Sequence, residues 1–293
     1  MTRTVLVPSS LSREAEDKRE ATRKLGYVAR AAAVFRVDRL VVYPDPGGDD
    51  GRWGDGFVRT VLAYAATPPH LRKDAWGKRD ELEYVGVLPP LRVSSQTGSG
   101  SDGSGSLRQG IVTEVGSDGR VRVNCGMQHP ISLLAPDREL EVGERVTIRV
   151  SSRRPVRAKI VDAPLPGFAV EYADLAATLA CADAGVRIAA SRHGEPLTIQ
   201  RLGDVSERIG ASGMSVVFGA PERGLPEILG VDIADIQSER VATETPPETG
   251  NDETAEPETA RFDLWLNTVP NQGSEVVRTE EAMFATLACL NLE

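Results

Sequence analysis

The 293-residue chain has no run of the roughly 18 apolar residues that a membrane helix needs, so no part of it is expected to sit in a bilayer. Its opening, MTRTVLVPSSLSRE, turns polar too early for a secretory signal, and a cytoplasmic protein is expected. Cysteine is scarce. Cys125, Cys181 and Cys289 stand far apart and form no CxxC pair, which argues against a zinc site, a redox dithiol or a disulfide framework. They read as buried apolar fillers. No GxGxxG turn follows the first β-rich run, which argues against a nucleotide-binding oxidoreductase. Histidine is also rare, and with His193 alone near the later functional loops neither a metal centre nor metal catalysis is expected.

Positive charge is in deficit too, with a formal net charge of -9 that looks wrong for a nucleic-acid binder. The distribution alters that reading. Residues 241–260, VATETPPETGNDETAEPETA, hold six carboxylates and no basic residue. Proline, threonine and glutamate at this density cannot build a core, so the stretch reads as a disordered surface loop. Such acid enrichment also suits a salt-adapted organism. By contrast, residues 145–161 carry six basic residues and no acidic one, a locally basic patch on an acidic protein.

With 40% hydrophobic residues the chain can bury one large core or two smaller ones. Residues 4–7 form a short β-rich run closed by Pro8. Residues 13–37 read as a helix, with Leu25, Val28, Ala29, Ala32 and Phe35 on one face and Glu14/Lys18 and Glu20/Lys24 as i,i+4 pairs. RLVVYPD, residues 39–45, follows as a buried strand, and strand, helix, strand predicts a parallel α/β sheet. Residues 94–106, SSQTGSGSDGSGS, form a Gly/Ser linker that marks a boundary. Beyond it, residues 110–115, 120–125, 130–134, 145–150 and 156–161 predict five short strands of a small β-barrel of the OB type. Their alternation places Val121, Val123, Cys125, Val146, Ile148, Val150, Val156, Ala158 and Ile160 inward. Arg120, Arg122, Asn124, Arg145, Thr147, Arg149, Arg157 and Lys159 then face outward, either as charge-blunted strand edges or as an RNA-binding face.

The α/β pattern resumes with strands at 167–172, 186–190, 214–218 and 264–269. Helices are expected at 175–184, near 205–209 and at 279–292, the last capped by Thr279 with Glu280 and Glu281 at its positive end. Three late strands each run into a turn of small or backbone-exposing residues: SRHG at 191–194, GAPERG at 219–224 and NTVPNQG at 267–273. Ligands bind at the carboxyl ends of strands in open α/β sheets, and glycine there lets backbone approach a ligand closely. Three such turns together predict a site.

VVFGAPERGLPEIL (216–229) followed by LNTVPNQGSEVVRTEEAMFATLACL (266–290) resembles the second and third motifs of the SPOUT, or alpha/beta-knot, methyltransferases. KLGYVARAAAVFRVDRLVVY (24–43), the inserted barrel and VPNQGSEVVRTEEA together resemble the archaeal and eukaryotic uridine-N3 rRNA methyltransferase group with an OB-like insert. The resemblance implies a SPOUT trefoil-knot parallel sheet interrupted by an OB-like barrel. Residues 1–93 and 163–293 would form the catalytic domain, 94–106 the linker and 107–162 the barrel. It implies S-adenosylmethionine held by Ser191, Arg192 and Gly194 of the first loop, Gly219, Glu222 and Gly224 of the second, and Asn267, Thr268, Val269, Gln272 and Val276 of the third. A homodimer and a structured RNA partner, 23S rRNA, are implied with it.

Methyl transfer to uridine N3 requires that the N3 proton leave. Glu222 or Glu280 would accept it, and Arg192, Arg223 or Arg278 would stabilise the anionic base. Plainer roles stand beside these: Glu280 as a helix cap, Arg223 as the partner of Glu227, Arg278 as a phosphate ligand. The barrel and helix 13–37, through Arg19, Arg23, Lys24, Arg30 and Arg36, would grip the RNA backbone. Met283, Leu287 and Leu290 serve either a dimer contact or the core. Ribose 2'-O methylation and a non-catalytic ribosome-assembly role remain as alternatives to N3 methylation.

Overall fold

A computed structural model describes residues 1–48, 52–53, 56–91, 106–135, 140–153, 155–163, 167–236 and 262–292. The greater part of the Gly/Ser linker and the whole acidic stretch 241–260 lie outside the described residues. Six parallel strands form the main sheet: β1 (Arg3–Pro8), β2 (Arg39–Tyr43), β8 (Ala169–Tyr172), β9 (Val186–Pro196), β10 (Met214–Phe218) and β11 (Leu264–Asn267), in the order β11-β9-β10-β1-β2-β8. Successive side chains leave opposite faces of a strand, and here both faces are covered. Val5, Val7, Leu40, Val42, Val216 and Ile188 join one core, together with helices α1 (Lys18–Val34), α2 (Phe57–Ala66), α5 (Ile199–Ser212) and α7 (Thr279–Leu290). Leu6, Val41, Tyr43, Ala189 and Val217 join the other, under the short helices α4 (Leu175–Leu179) and α6 (Leu225–Leu229). Each valine, leucine or isoleucine among them, fully buried, contributes about 1.5–3 kcal/mol. Met283, Leu287 and Leu290 of α7 belong to the first core.

The first helix is shorter than its sequence pattern suggests. Asp17 caps α1 by accepting from Glu20 N at 2.7 Å, which leaves Glu14 ahead of the helix. The expected Glu14/Lys18 pair therefore does not form: Lys24 reaches back to Glu14 at 2.6 Å and also pairs with Glu20 at 3.3 Å. Lys24 is only 4% exposed and cannot grip RNA. Arg30 donates to the carbonyls of Pro90 and Leu91, while Arg19, Arg23 and Arg36 remain exposed. Helix α4 covers half the expected span. Cys125 is a buried filler, but Cys181 is exposed and Cys289 half-buried, against the expectation for both.

The insert forms five antiparallel strands: β3 (Ser106–Val115), β4 (Arg120–Asn124), β5 (Ile131–Leu134), β6 (Arg145–Arg153) and β7 (Val156–Ile160), ordered β5-β4-β3-β6-β7. The outer strands β5 and β7 approach one another, so the sheet is nearly closed into a barrel around Val121, Val123, Cys125, Val146, Ile148 and Val150. Two expectations about facing fail here. Val156 is 46% exposed, whereas Thr147, expected outside, is 3% exposed. The second has a plain cause, because the outer side of β3 and β6 packs against the segment after α2. Arg145 lies within 3.5 Å of Thr67 Oγ1, and Asn124 donates to Asp74 of the short helix α3 (Arg72–Trp76) at 2.7 Å. Gln109 is buried with Thr147, and burial pulls the Arg145 guanidinium below its ordinary value.

Candidate active site

The first predicted loop is not a strand end. Strand β9 pairs with β11 at Ile188/Leu264 and Ala189/Trp265, and again at Glu195/Leu266 and Pro196/Asn267, so residues 190–194 bow out of the ladder between the two stretches. Gly194 closes the bulge against β11, where a Cβ would lie 2.6 Å from the Leu266 carbonyl carbon. Asn267 then links two loops: its amide donates to Arg192 O at 3.1 Å and its side-chain oxygen accepts from Val269 N at 3.0 Å.

After β10 the chain makes a tight turn in which Ala220 and Arg223 exchange two backbone hydrogen bonds, at 3.0 and 3.2 Å. Pro221 occupies the position that fixed φ suits, and Glu222 takes φ 59°, where a type II turn ordinarily wants glycine. An exposed glutamate held in the left-handed region is strain of the kind that collects at functional sites. Arg223 locks the turn from behind. Its guanidinium makes three contacts of 3.0–3.2 Å with the carboxylate of Asp45, which is fully buried at the end of β2, and a 2.7 Å bond with Glu227. Ser10 adds a 2.5 Å bond to Asp45. Burial pushes the Asp45 carboxyl up, but the bonds from Arg223 and Ser10 outweigh it and leave the group below its usual range.

Two threonines fasten α7 to these loops. Thr279 Oγ1 donates to Gly219 O at 2.8 Å, and the hydroxyls of Thr286 and Thr268 share a 2.7 Å bond. The cap of α7 is Arg278 rather than Thr279, which is the first helical residue; Glu281 accepts from Arg278 N at 3.0 Å. Tyr43, buried beneath, donates to Phe218 O at 2.7 Å and ties β2 to the end of β10.

These segments enclose a cleft of about 310 Å³. Ser191, Arg192, Gly219, Glu222, Gly224, Asn267, Thr268, Val269, Gln272 and Val276 all line it, over a floor that includes Phe218, Leu266 and Ala282. Gly194 is buried behind the bulge. Arg223, Arg278 and Glu280 do not line the cleft. Glu280 is 8% exposed beside Glu14 and Lys24, and burial pushes its carboxyl up. His193 lines the cleft next to Arg192; burial and that guanidinium lower its basicity. Sequence reasoning missed Asp45 and Thr279. The first sits 178 residues from its partner Arg223, and no local pattern joins them.

The chain matches the family described as "Putative RNA methyltransferase" over residues 2–290. It belongs to that RNA methyltransferase family. Full-length similarity extends to an uncharacterized protein of Haloarcula marismortui, 72% identical over all of this chain and 99% of the relative. An uncharacterized protein of Halobacterium salinarum is 68% identical with the same coverage. The human 28S rRNA (uridine-N(3))-methyltransferase is 31% identical over 99% of this chain and 77% of its own length. For an RNA methyltransferase the cleft has suitable elements: an apolar floor, backbone groups from three loops, the carboxylates of Glu222, Glu227 and Glu275, and the guanidinium of Arg192. Among the described residues no group of three or more His, Cys, Asp or Glu is placed to hold a metal ion.

Proposed function

We propose that this enzyme methylates N3 of a uridine in large-subunit ribosomal RNA with S-adenosylmethionine as donor. The convergence of three separate loops on one cleft carries the reading, and the 31% identity to a uridine-N3 methyltransferase across almost the whole chain supports the choice of atom. The volume, about 310 Å³, is at the lower end of the roughly 300–1,000 Å³ typical of small-molecule sites. Phe218, Leu266, Val269 and Ala282 suit an adenine ring, and the polar backbone of the Asn267–Val269 and Gly219–Gly224 loops suits its edge and a ribose. Glu222 and Arg192 offer opposite charges for the ammonium and carboxylate of an amino acid, or for the reacting base.

When bound, S-adenosylmethionine supplies an electrophilic methyl group on a sulfonium. The residues of this chain have to orient the uridine and dispose of its N3 proton. Glu222 accepts that proton on its carboxylate at the mouth of the cleft, and the Arg192 guanidinium balances the charge on the pyrimidine. His193 holds Arg192 by accepting from its Nε at 3.2 Å. Arg223 acts as a brace for the turn. The family resemblance adds a knotted SPOUT arrangement, a homodimer and an OB-like identity for the barrel. Cytoplasmic work in a salt-adapted cell suits the acid-rich composition and the two haloarchaeal relatives.

Transfer of labelled methyl from S-adenosylmethionine to unmodified large-subunit rRNA, followed by nucleoside digestion, tests the reading. N3-methyluridine is the expected product. A ribose-methylated nucleoside would reject the target atom. Binding of RNA without any transfer would favour the assembly role.

A further inference from the structure

The cleft and the barrel sit at opposite ends of the main sheet. The cleft is built on β11, β9 and β10, at one end of the strand order and at the carboxyl ends of the strands. The barrel returns to the main sheet through β8, the strand at the other end, and enters it from the amino edge, where Ala169 N bonds Asp38 O just ahead of β2. At about 4.8 Å per strand, three to five strand spacings separate β8 from β10 and β11, or roughly 14–24 Å before the height of the strands is added.

The way the barrel docks decides which of its faces is free. The outer side of β3 and β6 is covered, with Gln109 and Thr147 buried and Arg145 against Thr67. Apart from Asn124 at the end of β4, which is tied to Asp74, the outer side of β4, β5 and β7 is open, and it presents Arg120, Arg122, Arg157 and Lys159. Arg122 and Arg120 make only long, exposed pairs with Glu114 and Asp118, at 3.4 and 3.7 Å, which solvent screens readily. Arg157 and Lys159 have no acidic partner among the described residues. Ser132 stands opposite Arg122, and the approach of β5 to β7 brings the two basic strands onto one surface.

We infer that the substrate RNA is held at two separate places, its target nucleotide in the cleft and a distant part of its backbone on the β4-β5-β7 face. The preferred substrate is therefore a folded RNA wide enough to reach both, not a short hairpin around the target. This rests on the proposed function for the cleft, but the contact at the barrel requires only that the ligand be RNA. Phosphates are its recognisable chemistry, since the face offers guanidinium and ammonium groups.

The test compares binding of a large-subunit rRNA transcript, and of short hairpins cut from it, to the wild-type protein and to the R157E/K159E and R120E/R122E variants. Each variant should weaken transcript binding at least about tenfold and flatten its dependence on salt by about two ion equivalents, one per lost phosphate contact, with hairpin binding unchanged. Unchanged hairpin binding also shows that the variants are folded. Transcript affinity and salt slope equal to wild type would overturn the inference, as would equal weakening of both RNA classes. If the wild-type protein transfers no methyl group while the binding difference holds, the proposed reaction falls and the two-point grip stands.

Discussion

Strands β10 and β4 are each five residues long, yet they use their side chains in opposite ways. Every residue of β10 is buried, while β4 alternates between the barrel core and the surface. A strand covered on both faces has no side chain to spare for a ligand, so chemistry in the main sheet is displaced to strand ends and to the bulge in β9. A strand with one open face can offer a row of groups along its length. One chain thus provides a small site made largely of backbone and a broad site made of charge.

The comparison breaks most sharply at Asp45, the one carboxylate buried at the end of the sheet that braces the cleft. Asp45→Ala leaves the Arg223 guanidinium with Glu227 alone and should cost about 3 kcal/mol in urea unfolding. The pH dependence has a definite sign. The folded-state pKa of Asp45 is lowered, so its contribution is present above the ordinary value of about 3.9 and is lost as pH falls through the folded value; the gap between wild type and Asp45→Asn should close in that acid window.

Glu222 separates function from fold. Glu222→Gln and Glu222→Gly should each lower methyl transfer by at least about 100-fold. The glycine variant, relieved of φ 59°, should gain about 0.5–1 kcal/mol in stability, and a glycine variant of normal activity would remove Glu222 from the chemistry. On the barrel side, Val123→Ala opens space around a residue with no exposure and should cost about 2 kcal/mol. Its effect should appear in transcript binding, with S-adenosylmethionine binding measured by calorimetry left intact.

Glu280→Gln gives the smallest change. The folded-state pKa of Glu280 is raised, so the charged form opposes folding as pH rises above the ordinary carboxylate value of about 4.3. The amide should raise the melting midpoint slightly at pH 7 and have no effect below pH ~4.

The parallel sheet, the five-stranded insert and the turns after β10 and β11 were legible because each rests on a local pattern: period-two alternation, a buried apolar run, or glycine after a strand. Legibility ended where distant residues meet. SRHG reads as a strand end because nothing local reveals that β9 resumes its pairing at Glu195. Lys24 and Arg30 look like solvated cations until Glu14 and the Pro90 and Leu91 carbonyls are brought to them by tertiary packing. Thr147 follows the alternation of its strand correctly, but the alternation could not say that the segment after α2 would cover that side.

The hydroxyl bonds of Thr279 and Thr286 couple the loops after β10 and β11 to the last helix of the chain. Fraying of α7 from its first turn releases Gly219 O, and displacement of its middle releases Thr268. The helix and the rim of the cleft are therefore expected to open together, and the backbone amides of residues 219–220, 222–224, 267–269 and 279–290 should exchange hydrogen at a common rate that a bound cofactor slows.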